Sequence, residues 1–406
     1  MPVRGFSFIV FPLLLACAGA GVTAAPAPAP APAGAAVAKA SAETLLVGPK
    51  GEPMSLQAAI ASARDGDIIE LLPGDYRGQT LLIDQRRLTL RGVGKRPVVH
   101  GEGQRSSARA LWTVRGGQVQ VQNIEFRGAR SQQASGAGLR QEGGELTVLD
   151  CVFNDNENGI FAADNAQAVL TIERSQFGAA PRDEGRLPHL LNVGRIARLQ
   201  VQGSRFQDGF EGHMIKSRAA ESRIAYNLLL DGDLGGASYE IDLPVGGVAT
   251  VIGNVIAQGP NTQNRVLVAY GSEGERAWPK NALHLAHNTL VNGMATPAWF
   301  LRVWTSRLPA ETDVLVVNNL TVGPGIFWLG ASGHFEGNRP AMRAMLADAN
   351  TYAFELPPDS IWRGRGVDPR KVRGQDLSPQ AEFILPLGTQ PLPPGRSSWT
   401  PGAFQK

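Results

Sequence analysis

The chain has 406 residues, 18% of them charged and 43% apolar, with 48 glycines and a formal net charge of +3 at neutral pH. That length can bury a large core, and the composition is too apolar for a chain disordered throughout. The charge is too mild for a nucleic-acid binder, which needs a concentrated basic patch, and it leaves an acidic polysaccharide open as a partner.

Residues 1–25, "MPVRGFSFIVFPLLLACAGAGVTAA", carry one charge, Arg4, ahead of an apolar run that ends in small residues. This is the pattern of an export signal, and the run is too short for a stop-transfer helix. Cleavage is expected after Ala25. The stretch "LLAC", Leu14–Cys17, also resembles a bacterial lipobox, which would place a lipid on Cys17. The protein is therefore expected in the periplasm or outside the cell, touching a membrane only through that anchor. Residues 26–42 are rich in Ala and Pro and read as a stiff, extended spacer. Beyond the signal only Cys151 remains, so no internal disulfide is expected. It lies among apolar strand residues in "ELTVLDCVF" and reads as a buried small hydrophobe.

Residues 43–66 are expected to form a strand and a capping helix. Ser55 is placed as the N-cap, with Leu56, Ile60 and Ala63 along one helical face. From residue 67 to 330 one phrase recurs: "VQVQNIEF", "LTVLDCVF", "LTIERSQF", "LQVQGSRF", "RIAYNLLL", "TVIGNVIA", "LHLAHNTLV" and "VLVVNNLTV". Phe126, Phe153, Phe177 and Phe206 fall 27, 24 and 29 residues apart, and Asn227, Asn254 and Asn288 follow at 27 and 34. A period of this length means a solenoid, and alternation within each unit means strands. The prediction is an all-β parallel β-helix of about ten coils stacked at the spacing of paired strands. The asparagines are expected to form a hydrogen-bonded ladder, and the phenylalanines an interior stack. In residues 331–406 the period fades. "NRPAMRAMLADAN" reads as a short helix, and the Pro-rich stretch from Leu356 as an irregular tail packed along the solenoid.

The opening "LQAAIASARDGDIIELLPGDYRG" resembles that of pectate-lyase-like right-handed β-helix proteins, and the closing "WTPGAFQ" resembles the final strand of many of them. The resemblance covers most of the chain from Ser55 and implies a fold more than a chemistry, because this superfold hosts lyases, hydrolases, epimerases and phage adhesins.

Aligned on their apolar positions, "PHLLNVGR", "GHMIKSRA", "SYEIDLPV", "RVLVAYGS" and "WFLRVWTS" fall on one sheet. If Ile215 and Ile241 point inward, then Lys216, Arg218, Glu240 and Asp242 point outward. Asn192, Lys216, Asp242, Tyr270, Arg302 and Trp304 then run down one face, walled by long insertions that include Trp278. Trp278 and Trp304 suit stacking on sugar rings, and the cations suit uronate carboxylates. A polyuronate lyase needs a base for the proton beside the carboxylate and a positive group for the enolate. Lys216 fits the base, Arg218 or Arg302 the neutraliser, and Tyr270 a proton donor. Glu240 and Asp242 have three readings: calcium ligands, the acid and base of a hydrolase, or partners of Lys216 and Arg218. His213 shares parity with Ile215, which favours an interior or edge position stacked on His189. No Cys/His spacing suggests zinc, and no Gly-rich phosphate loop precedes a helix.

Glu211, followed five residues later by Lys216–Ser217 and then by "RIAYN", resembles the alginate lyase and chondroitinase B family of polysaccharide lyases. That resemblance implies Lys216 as base and Glu211 as a calcium ligand. The family places an Arg-containing motif on the next rung, whereas "SYEIDLPVGG" here carries Tyr239, Glu240 and Asp242 and no Arg. The expected function is β-elimination on an acidic polysaccharide by a monomeric exported enzyme that binds no nucleic acid. A hydrolase using Glu240 and Asp242, or a carbohydrate-binding or export scaffold protein without turnover, are the alternatives.

Overall fold

The structure, a computed structural model, describes residues 42–101, 108–183, 185–274, 277–327, 333–348 and 353–405. The expected signal, lipobox and nearly all of the spacer lie outside the described residues. Three parallel sheets of 12, 11 and 10 strands wind through the chain, and each coil adds one strand to each sheet in turn. Within each of the three, neighbours pair one coil apart and in parallel, as in Leu191↔Ile215 and Ile215↔Ile241. This is the expected parallel β-helix. The period-two pattern drives it: in Gln118–Gln122 the two valines are buried and the three glutamines face out.

The bend between the 12- and 11-stranded sheets explains the asparagines. Each bend places one residue in the left-handed region, among them Asn123, Asp150, Arg174, Tyr226, His287 and Asn318 at φ 44–54°. Gly203 and Gly253 take this role in two coils, at φ 59° and 66°, where a side chain is disfavoured. The next residue turns its side chain into the stack. Asn227 N–H and Nδ2 donate to Asn254 Oδ1 at 2.9 and 3.0 Å, and Asn254 does the same to Asn288 at 3.0 and 3.0 Å. Asn319 and Asn338 continue the ladder. Ser175 and Ser204 occupy the same position in earlier coils, accepting from the Cys151 and Ser175 amides at 3.1 Å. Cys151 is fully buried there, and burial pushes its thiol up to about 12, so it is inert. Phe126, Phe153, Phe177 and Phe206 stack with centroids 5.3, 4.7 and 4.6 Å apart.

The capping helix spans Leu56–Ser62, and Ser55 accepts from the Ala58 amide at 3.2 Å as expected. Leu56 and Ala59 are fully buried by it, while Ile60 and Ala63 are only partly buried against the core. At the other end the solenoid runs past residue 330. Arg339–Ala341 pairs with Leu320–Val322 in the last position of its sheet, and Arg343–Met345 is a single 3-10 turn. The short helix expected in "NRPAMRAMLADAN" is therefore replaced by an edge strand, where Pro340 is tolerated because no further strand needs its missing N–H. Trp399–Gln405 is likewise no strand. It packs as an irregular segment, with Trp399 6% and Ala403 1% exposed. The tail is pinned along the coils by Gln380 N–H donating to Tyr226 Oη at 2.8 Å and Ala403 N–H donating to Thr289 Oγ1 at 3.0 Å. No helix among the described residues is long and apolar enough to cross a membrane.

Candidate functional site

The 10-stranded sheet carries the polar column. Ile215 and Ser217 are buried on either side of Lys216, so the central residue of this three-residue strand faces out. Ser217 turns inward to Ser222, with the two Oγ atoms 3.0 Å apart, and has a structural role. The register places Asn192 below Lys216 and Asp242 above it, then Ala269, then Arg302. Tyr270 is one residue out of that column. It is fully buried in the coil, and its hydroxyl donates to Gly247 O at 2.5 Å. Burial raises its phenol above the ordinary tyrosine range. It is a core residue, and the proton-donor reading for it is withdrawn.

Lys216 Nζ lies 3.6 Å from Asp242 Oδ2 and 3.5 Å from Glu273 Oε1. Glu273 also receives the Arg218 guanidinium through both oxygens, at 3.0 and 2.8 Å. Burial alone would raise Glu273, but the bonds from Arg218 and the charge of Lys216 hold it below the usual glutamate range. Asp242 is 2% exposed, and burial pushes it up to about 6 against the pull of Lys216. Its Oδ2 also lies 3.4 Å from His213 Nε2.

His213 sits in a ring column beside this cluster. His189, His213 and Tyr239 stack with centroids 4.9 Å apart at each step. His189 Nδ1 accepts the His213 amide at 2.8 Å, which fixes its tautomer with the proton on Nε2. Burial holds His189 down to about 3 and His213 well below its ordinary value, with Lys216 and Arg218 adding to both effects. The column is thus neutral at physiological pH. Tyr239 is half-buried, and its phenol is raised by burial and then by the Asp242 charge, while Arg302 opposes them.

Glu240 does not face out. It is fully buried, precedes the strand that starts at Ile241, and so falls outside that strand's alternation. Neither carboxyl oxygen has a hydrogen-bond partner, and burial, reinforced by Asp231, raises its pKa well above normal. It cannot meet a substrate, and the acid–base pair of the hydrolase reading is not formed on the surface. Trp278 is engaged rather than free. Its Nε1 donates to Arg218 O at 3.0 Å, and Arg195 covers its ring at 3.9 Å, so it fastens its insertion to the coil. Asn192 is half-buried and donates to Asn158 Oδ1 at 3.3 Å. Arg302 lies against Trp304 and Trp299, 4.5 Å from each ring centroid.

Glu211, at φ 55°, forms no ion pair with this cluster among the described residues, and its Oε2 accepts the Gly185 amide at 2.8 Å. Among the described residues no three His, Cys, Asp or Glu side chains gather in a metal-binding group. One carboxylate with an oxygen already taken does not fit the oxygen-rich shell that calcium requires.

Three participants were missed from sequence. Glu273 lies in the insertion "YGSEGERAWPKN", 55 residues from Arg218, with only its place in a wall loop to mark it. Tyr239 was visible as a departure from a family motif without a role. Trp299 was hidden by a bulge between Trp299 and Leu301 that breaks the alternation.

No protein-family model matches the chain, and no curated protein matches it. Among solved structures, pectate lyase Pel9A matches with a TM-score of 0.58 and 14% identity, over 90% of this chain and 96% of its own. A mutant of the PL6 family alginate lyase AlyGC matches at TM-score 0.48 and 16% identity, over 74% of this chain and 40% of that one. Pectin methylesterase PemA from Erwinia chrysanthemi matches at TM-score 0.37 and 11% identity, over 77% and 95%. Identities this low speak to architecture alone, and the architecture is that of the pectate-lyase-like right-handed parallel β-helix.

Proposed function

We propose that this protein is an exported polysaccharide lyase that cleaves a uronate-containing chain by β-elimination on the outer face of the 10-stranded sheet. The observation that carries the reading is the placement of Lys216. It is an amine at the centre of an outward column, flanked by Asp242 and Glu273, with Arg218 fixed beside it. In its neutral form the amine takes the proton next to the uronate carboxylate. The electron pair forms the new double bond as the glycosidic carbon–oxygen bond breaks, and the leaving oxygen takes a proton from water, while Lys216 later returns the one it accepted to solvent. Arg218, which shares Glu273 with Lys216, offsets the charge that develops on that carboxylate, whereas Arg302 stands three ladder steps from Lys216 and is too far for this role. A solved structure that shares this architecture is a pectate lyase, and that precedent sets an acidic polysaccharide as the substrate class of this proposal.

A second reading is a binding protein without turnover. Lys216 is tied between Asp242 and Glu273 in ion pairs, an arrangement that suits holding a bound glycan through a fixed network of charges. One experiment separates the two. Protein lacking residues 1–40 is incubated with polygalacturonate, alginate and glycosaminoglycans, and ultraviolet absorbance of the unsaturated uronate is followed. The lyase reading expects a rise that Lys216→Ala abolishes. Binding by calorimetry with neither absorbance nor new reducing ends establishes the binder instead.

A further inference from the structure

Three charged groups on this face are matched internally. Arg140 pairs with Glu142, Arg218 with Glu273, and Lys216 with Asp242 and Glu273. Arg302 is different. Among the described residues it makes no ion pair and no side-chain hydrogen bond; its guanidinium lies against the two indole rings, and its charge also acts on the Tyr239 phenol. Its position has a local cause. The bulge in Ala298–Val303 buries both Phe300 and Leu301, and leaves Trp299 39% exposed with Arg302 half-buried on the outer column. Trp304 then ends the strand at the start of a 3-10 turn.

We infer that Arg302, held by Trp299 and Trp304, is the receptor for a second carboxylate of an acidic glycan, two or three sugars along the solenoid axis from Lys216. This deepens the proposed function and rests on it for the class of glycan. Indoles against a guanidinium use its faces and leave its N–H edges, which match a carboxylate in plane and bidentately. Packing between rings also removes side-chain freedom before the ligand arrives, so less is lost on binding. The spacing follows from the register. Lys216, Asp242, Ala269 and Arg302 are successive ladder positions, three steps of about 4.8 Å each. An extended pyranose chain advances by about one such step per sugar. Ala269, between Asp242 and Arg302, is fully buried and offers no group to compete for the substrate.

The test uses the Lys216→Ala protein, so that no probe is consumed, with oligogalacturonates and oligomannuronates of two to six sugars followed by tryptophan fluorescence and calorimetry. The expected result is a step of about tenfold or more in affinity between dimer and tetramer. Arg302→Ala removes that step, Arg302→Lys fails to restore it because an ammonium lacks the fork, and carboxyl-reduced tetramers never show it. Trp299→Leu, at an exposed ring, tests the clamp if Arg302→Ala does not fold, and is expected to lower the step several-fold. Equal tetramer binding by Arg302→Ala and its parent overturns the proposal, as does failure of every oligouronate to bind. A length step in a protein without turnover keeps the clamp and removes the lyase. Turnover with unchanged length dependence in Arg302→Ala does the reverse.

Discussion

Asn254 is a stringent test of what holds the coils in register. Its Oδ1 accepts the Asn227 backbone N–H and Nδ2, and its own Nδ2 donates to Ile224 O at 2.8 Å and to Asn288 Oδ1 at 3.0 Å. Every partner is sealed from solvent, and Asn227, Asn254 and Asn288 are each 0% exposed. Asn254→Ala leaves two buried donors on Asn227 without an acceptor. At about 1–3 kcal/mol for each stranded group, the expected loss is about 2–6 kcal/mol. Asn254→Ser should cost about half as much. Ser175 and Ser204 show why: at this position a serine Oγ accepts the amide of the preceding coil and donates to the carbonyl two residues back, at 2.9 and 3.1 Å. The assay is urea unfolding of both variants by circular dichroism and tryptophan fluorescence, with amide exchange at Asn227 as a local reading. A solenoid can unfold coil by coil, so the local exchange rate matters as much as the midpoint. If Ala and Ser destabilise equally, or if either costs less than about 0.5 kcal/mol, the ladder does not contribute as argued.

Tyr270→Phe loses one internal hydrogen bond, so the midpoint should fall by about 1 kcal/mol of stability with turnover unchanged; a large loss of turnover would restore the residue to the site. Glu273→Gln removes one of the two anions beside Lys216, so the pH–rate profile for elimination should move to lower pH. Glu273 is 38% exposed, and stability should change by no more than about 1 kcal/mol. An unmoved profile would separate Glu273 from the chemistry. His287 is fully buried, donates from Nδ1 to Thr400 O at 3.2 Å, accepts from Asn318 at Nε2, and is held down to about 3 by burial. The folded form stays neutral while the unfolded form gains a proton below about 6.5, so its stabilisation is complete above that pH and is lost as pH falls toward 3. Acid unfolding monitored between those limits should be shallower in His287→Gln, and an identical pH dependence would refute the assignment.

Much of this molecule was legible in one dimension. Alternation, the Phe and Asn periods and the Ser55 cap determined the coil, the interior stack, the ladder and the closed end, because each depends on contacts that recur once per rung. The column Asn192–Lys216–Asp242 was legible for the same reason, since strands one coil apart share a register. Tertiary structure decided whatever departs from the repeat. Glu240 lies just outside its strand and is buried, Tyr270 falls one position off the outward column, and a bulge turns Trp299 to the surface beside Arg302. Glu273 meets Arg218 only because an insertion folds back over the sheet two coils later. A periodic pattern specifies the average rung, whereas a site is made by bends, bulges and loops whose positions depend on the packing around them.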